Sequence, residues 1–278
     1  MTIPPHSDDH HDKGLSFDLG RLLSRRNAVI GLGLLGAGGY LGLRGIGGQA
    51  NATGIAADGS VCVADPSETA GPFPGDGTNR KDGETVNALR QSGIVREDIR
   101  PSFNGLTPVA GGVQLDLVLT LVNVNAACTP LAGYAVYIWQ CDAEGVYSMY
   151  DKTDRNYCRG LGITDNKGQV KFTTVFPGCY DGRWPHFHFE VFADVAAAST
   201  GDNSLLISQF ALPQDVADAV YAADPLYAAS IQNMAGVSLA SDMVFADNTA
   251  EQVAAQTMVL TGDVANGLSG AATIGIAV

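Results

Sequence analysis

Residues 113–124 read "VQLDLVLTLVNV". Leu115, Leu117, Leu119 and Leu121 recur at every second position, and a period of two puts all four leucines on one face of a strand. A helix would scatter them around its circumference. Outward from this stretch the same pattern returns in "YAVYIWQCD" (134–142), "QVKFTTVF" (169–176), "WPHFHFEVFA" (184–193) and the strand-like tail segments "MVFAD" (243–247) and "QTMVLTGDV" (256–264). Turn signals "DAEG", "TDNKG" and "FPG" separate several of these runs. Residues 213–235 read as one or two short helices interrupted at Pro225, and residues 53–112, rich in Gly, Pro, Asp and Asn, as an extended, loop-rich arm. Many short strands with little helix predict an all-β fold, a β-sandwich with a loop-rich N-terminal arm and short helices in its connecting loops.

The bulk numbers agree with a folded domain. The chain has 278 residues, 46% hydrophobic and 16% charged, enough for a sizeable core. Its net charge of −13 disfavours a nucleic-acid partner, which would need a basic face. The first fifty residues read differently. Arg25 and Arg26 precede 17 uncharged residues, six of them glycine, and "ANA" at 50–52 suits a cleavage site. Residues 1–52 are therefore read as a twin-arginine-type signal, residues 53–278 as the sandwich domain, and the protein as exported. The weakly apolar, Gly-rich core of that signal suits this route better than a stable membrane span, and none is expected after cleavage; the open alternative is a short N-terminal anchor that is never cut. His6, His10 and His11 fall within it and are read as a discarded tail. Five cysteines (Cys62, Cys128, Cys141, Cys158, Cys179) follow the signal, without CxxC spacing, so disulfides are expected in place of a cysteine zinc site. Two bonds and one leftover thiol is the fullest pairing, and spacing does not choose the partners.

The remaining histidines, His186 and His188, stand one residue apart in "WPHFHFEVFA". On a strand they share a face, about 7 Å apart along the chain, while Phe187 and Phe189 take the other. Two imidazoles so placed can chelate one metal ion, or can be buried and satisfied by carbonyls. Tyr180, in "PGCY", and Tyr147, in "EGVYSMYD", add two phenols, and two phenolates with two imidazoles make a hard, anionic donor set that favours Fe(III) over copper or zinc.

Here the chain resembles a known family. "LAGYAVYIWQCDAEGVYS" (131–148) and "RGLGITDNKGQVKFTTVFPGCYDGRWPHFHFEV" (159–191) are similar to the intradiol ring-cleavage dioxygenases, as are "SETAGPFPGDG" (67–77) and "IVREDIR" (94–100) upstream. The resemblance runs over residues 60–215 in the family's order. It implies a β-sandwich with a non-haem Fe(III) held by Tyr147, Tyr180, His186 and His188. Tyr150 is the substitute if Tyr147 is misplaced, and Tyr157 is read as core. The resemblance further implies Arg183 as the arginine that stabilises negative charge, Gln209 beside it, and Tyr180 as the ligand displaced by substrate and acting as base. Gly71, Pro72 and Phe73 of the arm would contact substrate. The implied reaction cleaves catechol-type aromatic diols with O2 to muconate-type products. Two other classes stay open: a non-catalytic exported sandwich that binds ligands, and a zinc or copper enzyme using the same histidines.

Overall fold

The computed structural model describes residues 52–278. The signal read over 1–52 lies, but for Ala52, outside the described residues, as do His6, His10 and His11. Thirteen strands follow in order: β1 (Thr53–Ile55), β2 (Val61–Val63), β3 (Asp76–Lys81), β4 (Glu84–Asn87), β5 (Gln114–Asn123), β6 (Thr129–Pro130), β7 (Ala135–Trp139), β8 (Arg159–Ile163), β9 (Gln169–Val175), β10 (His186–Phe192), β11 (Leu206–Ala211), β12 (Val259–Asp263) and β13 (Gly267–Ile276). Three short helices interrupt the later strands: α1 (Gln214–Ala223), α2 (Ala228–Ala235) and α3 (Ala250–Gln256). The expected helices at 213–235 are α1 and α2, with a 3-10 turn opening at Pro225 between them. Among the described residues no helix is long and apolar enough to cross a membrane.

Two sheets make the sandwich. One has the order β11-β10-β7-β8, all antiparallel. The other runs β12-β13-β5-β6, with β9 also paired to β5, and its β13–β5 pair is parallel. Between them lies the main core. Leu115, Leu117, Leu119 and Leu121 of β5 are buried there with Val170 and Phe172 of β9, and meet Val136 and Ile138 of β7, Phe187, Phe189 and Val191 of β10, and Phe210 of β11.

The first sheet is covered on its other face too. Tyr137 and Trp139 of β7, Leu161 of β8, Phe192 of β10 and Ile207 of β11 pack there against Ala70, Leu89, Ile94 and Phe103 from the segment before β5. All seven residues of β10 are accordingly buried. The arm is therefore a third layer, carrying the β1–β2 and β3–β4 hairpins within its loops. A polar side chain on the outer face of β10 is shut away from water, where it needs a partner.

Two details depart from the sequence reading. Residues 243–247 ("MVFAD") form turns, because the Asp242 carboxylate collects the N–H groups of Val244 and Phe245 and so closes the backbone locally. A single disulfide forms, Cys62–Cys128, while Cys141, Cys158 and Cys179 are buried free thiols.

Candidate metal centre

Cross-strand register lays out the outer face of the first sheet. Gln209 of β11, His188 of β10, Trp139 of β7 and Arg159 of β8 stand side by side in one row. His186 lies on the same face of β10, at 2% exposure like His188. The Trp139 ring stacks on His188, with centroids 4.8 Å apart and planes 7° from parallel. This fixes the imidazole plane with apolar contact and leaves its nitrogens free of the stack. His186 is oriented differently, by Nδ1 donating to the Trp184 carbonyl at 2.5 Å. That bond places the ring proton on Nδ1 and leaves the Nε2 lone pair facing the site.

Two loops bring the tyrosines. Tyr147 follows β7 in a turn built by Asp142, whose Oδ1 accepts from the N–H groups of Glu144 and Val146, while Tyr157 Oη steadies Oδ2 from behind. The Tyr147 N–H donates to Asp151 Oδ2 at 2.6 Å and closes that loop. Tyr180 follows Pro177-Gly178-Cys179. Gly178 donates to the Asp142 carbonyl, and a Cβ on it would lie 2.7 Å from Ala143 O and 2.8 Å from Gly145 N. The two loops run so close that only glycine fits at 178. On the other side, α2 holds the segment through Ser230 Oγ, which accepts from the Cys179 N–H, and Asn233 Nδ2, which donates to the Cys179 carbonyl. Cys179 itself is a packed thiol, 1% exposed.

The result is a convergence of four donors. His186 Nε2 and His188 Nε2 are 3.0 Å apart. Tyr147 Oη lies 3.5 and 3.3 Å from them, and Tyr180 Oη 3.3 Å from His186 Nε2. With no ion bound, these separations let the four side chains hydrogen-bond to one another. Burial, reinforced by Arg183, holds His186 below the usual imidazole range, and burial with His186 does the same to His188. Both rings are therefore neutral. Burial and the adjacent Tyr180 push the Tyr147 phenol well above its ordinary range, so its charged form needs a cation nearby. Donors with bonds of about 2.0–2.2 Å to a shared ion stand about 3.0–3.5 Å from one another, which matches the observed spacings. The residues present thus fit a metal ion. Among the described residues no group of three or more His, Cys, Asp and Glu gathers elsewhere for one.

Around this centre the other expected residues fall as follows. Arg183 is buried and is no surface ion pair. Nε donates to Asp242 Oδ2 at 2.9 Å, Nη2 to Gln209 Oε1 at 2.7 Å, and Nη1 lies 3.5 Å from Tyr180 Oη. Burial opposes its charge, but Tyr180 and Asp242 outweigh it and keep the guanidinium protonated. Gln209 also donates through Nε2 to the Thr69 carbonyl at 2.9 Å, which ties the arm to the site. Gly71 passes the ring edge of His188. It has φ +68°, and a Cβ there would sit 3.3 Å from His188 Cε1. Phe73 packs on Tyr147, centroids 4.9 Å apart, while the Pro72 carbonyl accepts from Asn79 at 2.5 Å. Tyr150, the substitute ligand, is held away from the centre, donating to Asn79 Oδ1 at 2.6 Å. Asp242, Trp139 and Arg159 were not singled out by the sequence. Trp139 was within reach, since it has the strand parity that faces the histidines; Asp242 had no signal.

Comparison with known proteins shows which family the chain is similar to. The family model described as Dioxygenase matches residues 111–263. The catechol 1,2-dioxygenase of Pseudomonas sp. (strain EST1001) is 32% identical over 94 residues, 34% of this chain and 28% of that protein. The protocatechuate 3,4-dioxygenase beta chain of Burkholderia cepacia is 30% identical over 148 residues, 47% of this chain and 59% of that protein. The chain thus spans less than two thirds of the length of either relative. An intradiol ring-cleavage dioxygenase from Tetranychus urticae shares the fold, with TM-score 0.58 and 24% identity over 78% of this chain and 95% of that one. With more than half its length matched by the family model, the chain belongs to the intradiol ring-cleavage dioxygenase family.

Proposed function

We propose that the protein is a non-haem Fe(III) intradiol dioxygenase that cleaves catechol-type diols with O2 to muconate-type products. The convergence of two neutral imidazoles and two phenols at 3.0–3.5 Å is the observation that carries this reading. Tyr147, Tyr180, His186 and His188 would hold the ion. When bound, ferric iron supplies Lewis acidity to a chelating diol and activates its ring toward O2. Hard phenolate donors favour it over copper or zinc.

The chain's own residues divide the rest of the work. Tyr180 is half-buried, whereas Tyr147, His186 and His188 are buried, so Tyr180 is the donor that an incoming diol reaches first. As the base, its phenolate oxygen would take a proton from a diol hydroxyl. Arg183 Nη1, beside Tyr180 Oη, then faces the negative charge that develops on substrate oxygen. Phe73 and Gly71 close the arm side and keep water from the ring.

A visible spectrum of the purified, iron-quantified protein tests the reading. A broad tyrosinate-to-iron band is expected, moving to longer wavelength when catechol is added without O2. A protein still colourless after ferric reconstitution overturns the assignment. We further propose that residues 1–52 direct export. Arg25→Lys with Arg26→Lys is expected to leave the protein in the cytoplasmic fraction, and unchanged export would remove that proposal.

A further inference from the structure

Asp242 lies 59 residues beyond Arg183 in sequence, in the turns between α2 and α3, and is fully buried at 0% exposure. Backbone groups fix its carboxylate independently of any side chain. Oδ2 accepts from the Trp184 N–H at 2.7 Å, and Oδ1 from the N–H groups of Val244 at 2.8 Å and Phe245 at 3.3 Å. Onto this anchored group Arg183 lays one edge, Nε at 2.9 Å from Oδ2 and Nη2 at 3.5 Å from Oδ1. Gln209 Oε1 takes Nη2 from the far side at 2.7 Å, and Gln209 is in turn tied to Thr69. Two of the three guanidinium nitrogens are thereby committed, and Nη1 is turned toward Tyr180 Oη.

We infer that Asp242 is a positioning residue for the ring-cleavage reaction, clamping the Nε edge of Arg183 so that Nη1 is aimed at Tyr180 Oη. The inference rests on the dioxygenase reading given above. Its physical content is pre-organisation. A free arginine side chain samples many rotamers, and a planar fork held on two edges has given up that freedom before substrate arrives. A lysine or a loose arginine would carry the same charge without the same aim. Stability alone does not require this pair, since a buried ion pair is often replaceable by apolar side chains without loss.

Steady-state catechol cleavage by the iron-loaded protein tests it, with Asp242→Asn, Arg183→Ala and the double variant. All four donors remain in Asp242→Asn, so the visible band and its shift with catechol are expected to persist. KM should change little, while kcat falls about 10- to 100-fold. Guanidinium ion added to Arg183→Ala should restore part of the lost kcat, by docking between Asp242 and Gln209, and should fail to do so in the double variant. A kcat for Asp242→Asn equal to the parent's, or equal rescue of single and double variants, overturns the clamp. So does a fall in kcat that merely tracks loss of iron and colour. If Asp242→Asn does not fold, Arg183→Ala decides alone: rescue by guanidinium but not by methylammonium supports a carboxylate that selects a planar fork, and equal or absent rescue overturns it. A parent protein that cleaves no catechol removes the dioxygenase reading and the clamp with it, whereas an active parent matched by Asp242→Asn removes the clamp alone.

Discussion

His188→Ala is expected to lose bound iron, the visible band and ring cleavage together, with kcat/KM falling by more than about 100-fold. Loss of an outer partner of a metal ligand already costs about 10- to 100-fold, and His188 would be a direct donor. Its place in the site is central. Nε2 is 3.0 Å from His186 Nε2 and 3.3 Å from Tyr147 Oη, so its removal breaks two sides of the donor polygon. No neighbour can move in. Gln209, beside it in the cross-strand row, is already committed at both ends, to Arg183 and to Thr69. On the other side Trp139 presents an indole face, which is no ligand. Three measurements check the expectation: iron per chain, the spectrum before and after catechol, and the rise in melting temperature when ferric ion is added. The parent should gain stability from the ion by mass action and the variant should not. A variant that keeps its colour and turnover would remove His188 from the ligand set. One that loses turnover but keeps iron and colour would make it a substrate contact.

The parts of this molecule that were legible in sequence are those where one physical demand dominates. In β5 the two-residue leucine period is forced by a single buried face, and in β10 the His/Phe alternation is forced by two different buried faces. The second face carried the more useful signal. The strand reads apolar throughout, yet its two histidines sit beneath an arm that composition alone described only as loop. Strands β8 and β13 were unreadable for the opposite reason. Gly162 lies under Val170 and Phe172, where a Cβ would overlap the valine side chain. Gly270 is wedged between Leu117 and Leu260, with a Cβ position 2.8 Å from each. Close packing there demands glycine, which weakens the very pattern by which a strand is recognised. The same limit hid the far side of the site. Tyr147, Tyr180, His186 and His188 lie within 42 positions of one another in recognisable motifs. Asp242 reaches Arg183 through a turn whose following residues, "MVFAD", read as strand and carry no metal motif, so tertiary folding alone brings it there.

Replacing both members of the disulfide, Cys62→Ala with Cys128→Ala, is expected to lower stability by about 4 kcal/mol at 25 °C in the chain-entropy account, while leaving ring cleavage unchanged well below the melting temperature. The bond spans 66 positions and joins β2, near the start of the arm, to the turn after β5. Without it the unfolded chain regains the freedom of that loop. Urea unfolding should therefore show a lower midpoint together with a steeper m, because an uncrosslinked chain exposes more surface. The active site should be insulated from the change. Beyond Cys62 the arm is laced to the sandwich at several points before it reaches Gly71. Asp65 N–H donates to the Gly275 carbonyl at 3.0 Å, and Gly275 N–H donates back to Asp65 Oδ2 at 2.7 Å. Glu68 N–H donates to the Ile207 carbonyl at 2.8 Å, and the Thr69 carbonyl takes Gln209 Nε2 at 2.9 Å. These bonds are buried, and they hold the arm over His188 whether or not the crosslink is present. Activity that falls in step with stability at low temperature would show the opposite, that the disulfide holds the arm down and the lacing does not. Stability lost with activity retained would locate the closure of the site in Asp65, Glu68 and Gln209, the residues that join the arm to the face carrying the histidines.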